Sequence, residues 1–385
     1  MSRQGSVTKY QDGSRRSLWR FDLDVGPTRG TRKRIIRGSF DTRTAALAAM
    51  EVERSRYVDV TDPTSTDVAS YLFDWVNRLA AAQTIRPPTA DSYRRVINIA
   101  ANQLGTIRLD HLSAADLDRL YHYLLTTGGR GGTGRSPRTV RLFHGVIRKA
   151  LSDAVRKGML GRNVADAADP PSSSAAKAPE PQIWTSDQVR AFLDAEWLPV
   201  YRRVGWAVAF GTGMRRGELA GLCWGDLDGD RLTVRRTRTT ADHQVIEGEP
   251  KTAKGRRTIT VDEGLVALLR SWRAEQARLL MRAGIRTEYL LTDSTLQAWH
   301  PDALTRQWAR DAARAVTEGL VLAPMRLHDC RHWNATQLVA ANVDLNTVAD
   351  RLGHATPAFT LAVYGHSDPE RDRAAAGKLG AVLGL

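Results

Sequence analysis

The sequence predicts a mainly α-helical protein with small β-sheets, divided into three domains. Three observations carry that expectation. The chain has 385 residues, and at roughly 100–200 residues per domain that means two or three domains. Apolar residues recur at helical spacing through much of the chain from Val68 onward, the mark of amphipathic helices. Strand-like alternation is confined to the N-terminus and to a short stretch after residue 230. Hydrophobic residues make up 42% and charged residues 25%, ordinary values for a globular chain.

The first domain is expected over residues 1–60 as a three-stranded sheet plus a helix. "SLWRFDLDV" alternates apolar and polar residues, "GPTRG" reads as a turn and "TRKRIIRGSF" as a basic strand. Asp12-Gly13 marks an earlier tight turn. Thr42 can cap a helix over "RTAALAAMEVERSRY". "DVTDPTSTD" is rich in turn formers.

The second domain, 65–167, reads as all-helical. "VASYLFDWVNRLAAA" opens it, and Thr89 and Ser113 are candidate N-caps for two further helices. Ser136 caps and Pro137 opens a long helix whose apolar stripe is Val140, Phe143, Ile147 and Leu151. Its other face carries Arg141, Arg148, Lys149 and Arg156. The preceding "GGRGGTGRS" resembles a phosphate-binding loop, but a helix precedes it and Arg135 replaces the lysine, so it reads as a mobile helix–helix connection. Residues 168–182, "AADPPSSSAAKAPEP", read as a linker. The third domain, 183–385, is mainly helical with a hairpin, its strands expected in "RLTVRRTRTT" and "RRTITV".

Charge narrows the partner. The formal net charge is +14 and the sequence pI about 10.2. Arginine supplies 48 of the 56 basic residues, and its planar fork suits phosphate. Residues 1–58 alone hold 13 Lys/Arg against 6 Asp/Glu. A polyanionic partner is expected, and a basic sheet can dock in a DNA groove. Arg32, Lys33, Arg34, Arg138, Arg141 and Lys149 are the candidate DNA contacts. No long apolar run or secretory signal stands out, so the expectation is a cytoplasmic protein with no membrane partner, nucleoid-associated when bound to DNA. Cys223 and Cys330 make neither a disulfide framework nor a metal-ligand spacing.

Four motifs lie in the last domain: "GTGMRRGELAGLCWGDLD", "PKTAKGRRTIT", "LHDCRHWNAT" and "RLGHATPAFTLAVYGH". "HDCRH" has the spacing of a zinc-binding H-E-x-x-H, but it lacks the glutamate and a third ligand, so no metal is expected. In this order the four motifs resemble the catalytic domain of the tyrosine recombinases, the phage integrase family. Members carry TG-x-R, a hairpin lysine, H-x-x-R, L-G-H and a C-terminal tyrosine. Arg215, Lys251, His328, Arg331, His354 and Tyr364 fill those positions. Upstream, the helical segment resembles the family's SAM-like core-binding domain and residues 5–57 its AP2-like arm-binding domain.

The resemblance implies a site-specific recombinase that joins DNA through a 3′-phosphotyrosyl intermediate. Arg215 and Arg331 would hold the phosphate, His328 would act as base, Lys251 as general acid and Tyr364 as nucleophile, with His354 ordering the pocket. Glu218 would brace Arg215. Lys254, on the same hairpin, is the alternative general acid. The covalent link conserves bond energy, so no cofactor is expected. The implied partners are double-stranded DNA attachment sites, three further copies in a homotetramer on synapsed DNA, a DNA-bending host factor and an excisionase or directionality factor. A Xer-type dimer resolvase and a catalytically dead DNA-binding regulator are the alternatives.

Overall fold

The computed structural model describes residues 5–11, 13, 16–24, 34–57, 66–177, 182–250, 253–353 and 373. They fall in two compact units, 1–178 and 179–385. Helices predominate, and the sheets are small and antiparallel.

The first unit begins with a meander of β1 (Gly5–Gln11), β2 (Ser17–Asp24) and β3 (Arg34–Phe40), followed by α1 (Arg43–Tyr57). Thr42 caps α1 as expected, its hydroxyl accepting from the Ala45 N–H at 3.1 Å. Phe21, Leu23 and Met50 form this module's own small core.

The helices that follow are α2 (Val68–Ala81), α3 (Pro87–Leu104), α4 (Ala114–Thr126) and α5 (Pro137–Arg156). They bury a separate core in which Trp75, Leu72, Ile97, Leu120, Phe143 and Ile147 meet. All four residues of the α5 stripe read from the sequence are buried. Ser113 and Ser136 cap α4 and α5. Thr89 does not cap α3. That helix starts two residues earlier, with Pro87 and Pro88 in its first turn after Arg86, because proline's fixed φ favours the first helical positions.

The glycine loop between α4 and α5 is closed on itself. The Gly129 N–H donates to the Thr133 carbonyl at 2.6 Å, and Arg135 Nε to the Gly128 carbonyl at 2.7 Å. A Cβ on Gly134 would lie 1.9 Å from the Leu125 carbonyl oxygen, so only glycine fits. Residues 168–171, assigned to the linker from sequence, are held on the helical core. Ala168 is buried, the Asp169 N–H donates to Asp118, and the Pro171 carbonyl accepts from Arg141.

The second unit opens with α6 (Ser186–Leu193), α7 (Val200–Thr212) and α8 (Arg216–Ala220). A three-stranded sheet pairs β4 (Leu227–Asp228) with β5 (Arg231–Val234), and β5 with β8 (Arg257–Thr260). Between β5 and β8, β6 (Thr237–Ala241) and β7 (Gln244–Gly248) form a separate hairpin. The run "RLTVRRTRTT" is therefore two strands in different sheets, broken at Arg235–Arg236. Then come α9 (Glu263–Ala283), α10 (Pro301–Thr317), α11 (Asp329–Ala340) and α12 (Leu345–Leu352). α7 lies at the centre. Its Trp206 meets Trp308 edge-on with centroids 5.1 Å apart, and Phe192 and Trp184 complete the aromatic cluster. Asp311 is buried beside them. It accepts from Trp206 Nε1 at 2.9 Å, from Gln307 and from Arg202. No helix among the described residues is long and apolar enough to cross a membrane.

Candidate active site

The site begins where α7 stops. Gly213 ends that helix in the left-handed region, at φ 63° and ψ 23°, a conformation that favours glycine. A Cβ there would lie 2.6 Å from Leu352 Cδ2 and 3.1 Å from Asn334 Oδ1. Gly211 lies inside α7, and its carbonyl accepts from Arg351 at 3.1 Å. The reversal at Gly213 places Arg215 as the N-cap of α8. The Glu218 carboxylate reaches back to accept from the Arg215 backbone N–H and from Arg215 Nη1, both at 2.9 Å.

Glu218 is 3% exposed and serves two guanidinium groups. Arg257, on β8, donates to both its oxygens, at 3.1 and 2.9 Å. Burial alone would raise the Glu218 carboxyl pKa, but Arg257 and Arg215 outweigh it and hold the group below its ordinary value. It is therefore a carboxylate at neutral pH.

Arg331 lies in the first turn of α11 and is 4% exposed. Its Nη1 donates to the Gly213 carbonyl at 2.9 Å, which ties the H-x-x-R helix to the turn before Arg215. Asp329 anchors the start of α11 by accepting from the Arg326 N–H and from both arms of its guanidinium. His328, just before it, has an accessible ring that meets His332 edge-on at 5.2 Å. The surrounding protein, His332 and Arg331 lower the His328 pKa. Arg215 adds to this, and Asp329 opposes it. His328 is thus a neutral imidazole at pH 7, able to accept a proton.

α12 closes the site. It ends at Gly353, again left-handed at φ 68°, and the Gly353 carbonyl accepts from Arg215 Nη2 at 3.0 Å. The structure thus brings Arg215, His328 and Arg331 together. Lys251, His354 and Tyr364 lie outside the described residues, as do Arg32 and Lys33. Lys254 is exposed, with Nζ 4.0 Å from Asp350. Arg216 pairs with Asp302 at 2.8 Å.

Of the candidate DNA contacts, Arg34 on β3 grips Asp22 with two hydrogen bonds. Arg138, Arg141 and Lys149 are exposed on α5, opposite its buried stripe. Lys149 packs its ammonium over the Tyr93 ring, 5.4 Å from the centroid. Burial pushes the Cys223 thiol up to about 12 and raises the Cys330 thiol well above its ordinary value, so neither is a thiolate nucleophile at neutral pH.

Two residues that shape this site were missed in the sequence. Arg257 is read there only as part of a basic hairpin, although "RTIT" contains a signal. Strand alternation puts Arg257 on the same face as the buried Ile259, and an arginine in a core-facing position needs a buried partner. Arg351 left no comparable signal. It is held by the carbonyls of Thr260 and Gly211, at 2.8 and 3.1 Å.

Residues 183–371 match the model of the phage integrase family. They are a phage integrase family domain. The resemblance drawn from the four motifs rests on the same segment. Beyond this integrase-family domain the similarity spreads over most of the chain. The ICEBs1 integrase of Bacillus subtilis is 27% identical over 281 residues, 71% of this chain and 74% of that protein. A XerC-like tyrosine recombinase of Caldanaerobacter subterraneus is 25% identical over 82% of both chains. In fold, the chain is similar to the Tn1549 transposon integrase in complex with a circular intermediate DNA. That match has a TM-score of 0.66 at 18% identity and covers 82% of this chain and all of that one. It is similar also to a lambda integrase bound to a core site, at a TM-score of 0.60 and 15% identity, over 92% of this chain and 94% of that one.

Proposed function

We propose that the chain is a site-specific DNA recombinase, an integrase that cuts and rejoins strands through a 3′-phosphotyrosyl link to integrate or excise a phage or other mobile element. The observation that carries this reading is the convergence of Arg215, Arg331 and a neutral His328 on two adjoining helix starts. A phosphodiester resists attack because it is anionic. Two guanidinium groups on its non-bridging oxygens would stabilise the charge that builds in the pentacoordinate transition state. Tyr364 is the nucleophile, and His328 takes its proton. Lys251 gives a proton to the departing 5′-oxygen, and His354 orders the phosphate. The 5′-hydroxyl of a partner strand then reverses the step, without ATP or metal.

The rest of the chain fits the same task. Residues 1–60 form an arm-binding module for distant sites, residues 65–167 and 183–385 clamp the core site, and four copies act on two synapsed duplexes. A DNA-bending host factor and a directionality factor complete the assembly. Relatives named as integrases, together with a basic module at 1–58 beyond what a Xer-type resolvase usually carries, favour integration over dimer resolution.

The test is covalent trapping on a nicked duplex carrying the chain's own core sequence. Wild-type protein is expected to leave an SDS-resistant adduct, and Tyr364→Phe none. An inert wild-type protein would refute the enzyme reading, and an adduct with Tyr364→Phe would refute the nucleophile.

A further inference from the structure

We infer that Arg257 is the positioning residue of this site, holding Glu218, the turn at Gly353 and through them Arg215 in the geometry that receives the scissile phosphate. The inference rests on the recombinase reading above. Arg257 is 9% exposed and spends its donors on three different elements. Nη1 and Nη2 grip the two oxygens of Glu218 on α8, at 3.1 and 2.9 Å. Nε donates to the Arg351 carbonyl at the end of α12, at 2.7 Å, and Nη1 also approaches the Gly255 carbonyl, at 3.3 Å.

These contacts meet where three of the four motifs meet. Glu218 in turn holds the Arg215 N–H and Nη1, and the Gly353 carbonyl holds Arg215 Nη2. Gly353 also packs directly on Arg257. A Cβ there would lie 3.1 Å from Arg257 Cδ and 2.9 Å from the Lys254 carbonyl oxygen. The hairpin strand, the arginine helix and the turn that leads to His354 therefore share one buried guanidinium. Arg257 is not placed to act on DNA itself. It fixes the rotamer of Arg215 by fixing the carboxylate that Arg215 grips.

A lysine cannot reproduce this. Its point charge lacks the planar fork that spans two carboxylate oxygens while a third donor reaches a carbonyl. A misplacement of about 1 Å at a catalytic group costs on the order of 100-fold in rate.

The experiment measures single-turnover adduct formation by the full chain at saturating DNA, with binding and Tm measured alongside. The probe is a nicked duplex whose core sequence is first selected from a random library by binding to that chain. Arg257→Lys is expected to cleave about 100-fold more slowly, with DNA affinity within about twofold of wild type and folding retained. Glu218→Gln keeps shape but not charge. It is expected to show a similar loss, with no further loss in the double variant. Wild-type rates in Arg257→Lys or in Glu218→Gln would overturn the inference. So would a loss of cleavage that merely tracks lost binding or unfolding. An absent wild-type adduct overturns the recombinase reading instead, and the positioning role with it.

Discussion

Gly213→Ala is the perturbation that most directly tests how the site is built. The chain contains its own control. Gly284 ends α9 at φ 65° and ψ 24°, almost the dihedrals of Gly213 at 63° and 23°. A Cβ on Gly284 would meet nothing within 4 Å, whereas one on Gly213 would sit 2.6 Å from Leu352 Cδ2. Both alanines incur the left-handed penalty of about 1–2 kcal/mol, partly offset by about 0.4–1 kcal/mol from a less flexible unfolded chain. Only Gly213→Ala adds overpacking, about 1–3 kcal/mol. Gly213→Ala should therefore be the less stable by about 1–3 kcal/mol. For a unit of this size each kcal/mol lowers Tm by about 2–4 °C. Urea unfolding of both variants beside the wild type measures the gap. Equal losses would show that Leu352 gives way freely, and the close approach of α12 to the Gly213 turn would then not constrain the fold.

Two further outcomes follow from the charges. Glu218 has a folded pKa below its ordinary value of 4.5, so its stabilising effect is complete above about pH 4.5 and is lost as pH falls through the folded value. The stability gap between wild type and Glu218→Gln should narrow as pH is lowered from 6 to 3, and a constant gap in chemical denaturation would contradict the ionic brace. Removal of residues 1–60 should abolish arm-site binding in gel shifts while core-site binding persists, with the salt slope falling by about 0.9 per lost phosphate contact. Equal loss at both sites would refute the division of labour.

Much of this molecule could be read before its structure. Helices with a clean apolar stripe, such as α5, and helices with a serine cap, such as α4 and α5, were legible because those signals are local. Thr89 has a capping side chain, but two prolines upstream start the helix sooner. "RLTVRRTRTT" has continuous strand character, yet its first half pairs with β8, 23 or more residues on, while its second half folds into a local hairpin with β7, which splits it between two sheets. Arg257 and Arg351 owe their roles to acceptors 39 and 91 residues distant along the chain, which no window of sequence reveals. Arg215, His328 and Arg331 could be named from their motifs, but not the carbonyls that orient two of them.

Those carbonyls explain how a cluster of arginines, two of them buried, remains ready for an anion. A guanidinium matched one-to-one with a carboxylate is neutral as a pair and attracts a phosphate weakly. Here Arg215 and Arg257 share the single carboxylate of Glu218, which leaves the trio with a net charge of +1. Their other contacts are backbone oxygens, of Gly353 for Arg215 and of Arg351 and Gly255 for Arg257. Arg331 likewise leans on the Gly213 carbonyl. Carbonyl dipoles orient the forks of Arg215 and Arg257 without cancelling their charge, so the trio with Glu218 stays net positive. The charge of Arg331 and Arg215 also helps keep His328 neutral. On the proposed reading, the same arrangement would supply the two conditions that transfer to a tyrosine requires, a cationic cradle for the phosphate and an unprotonated base beside it.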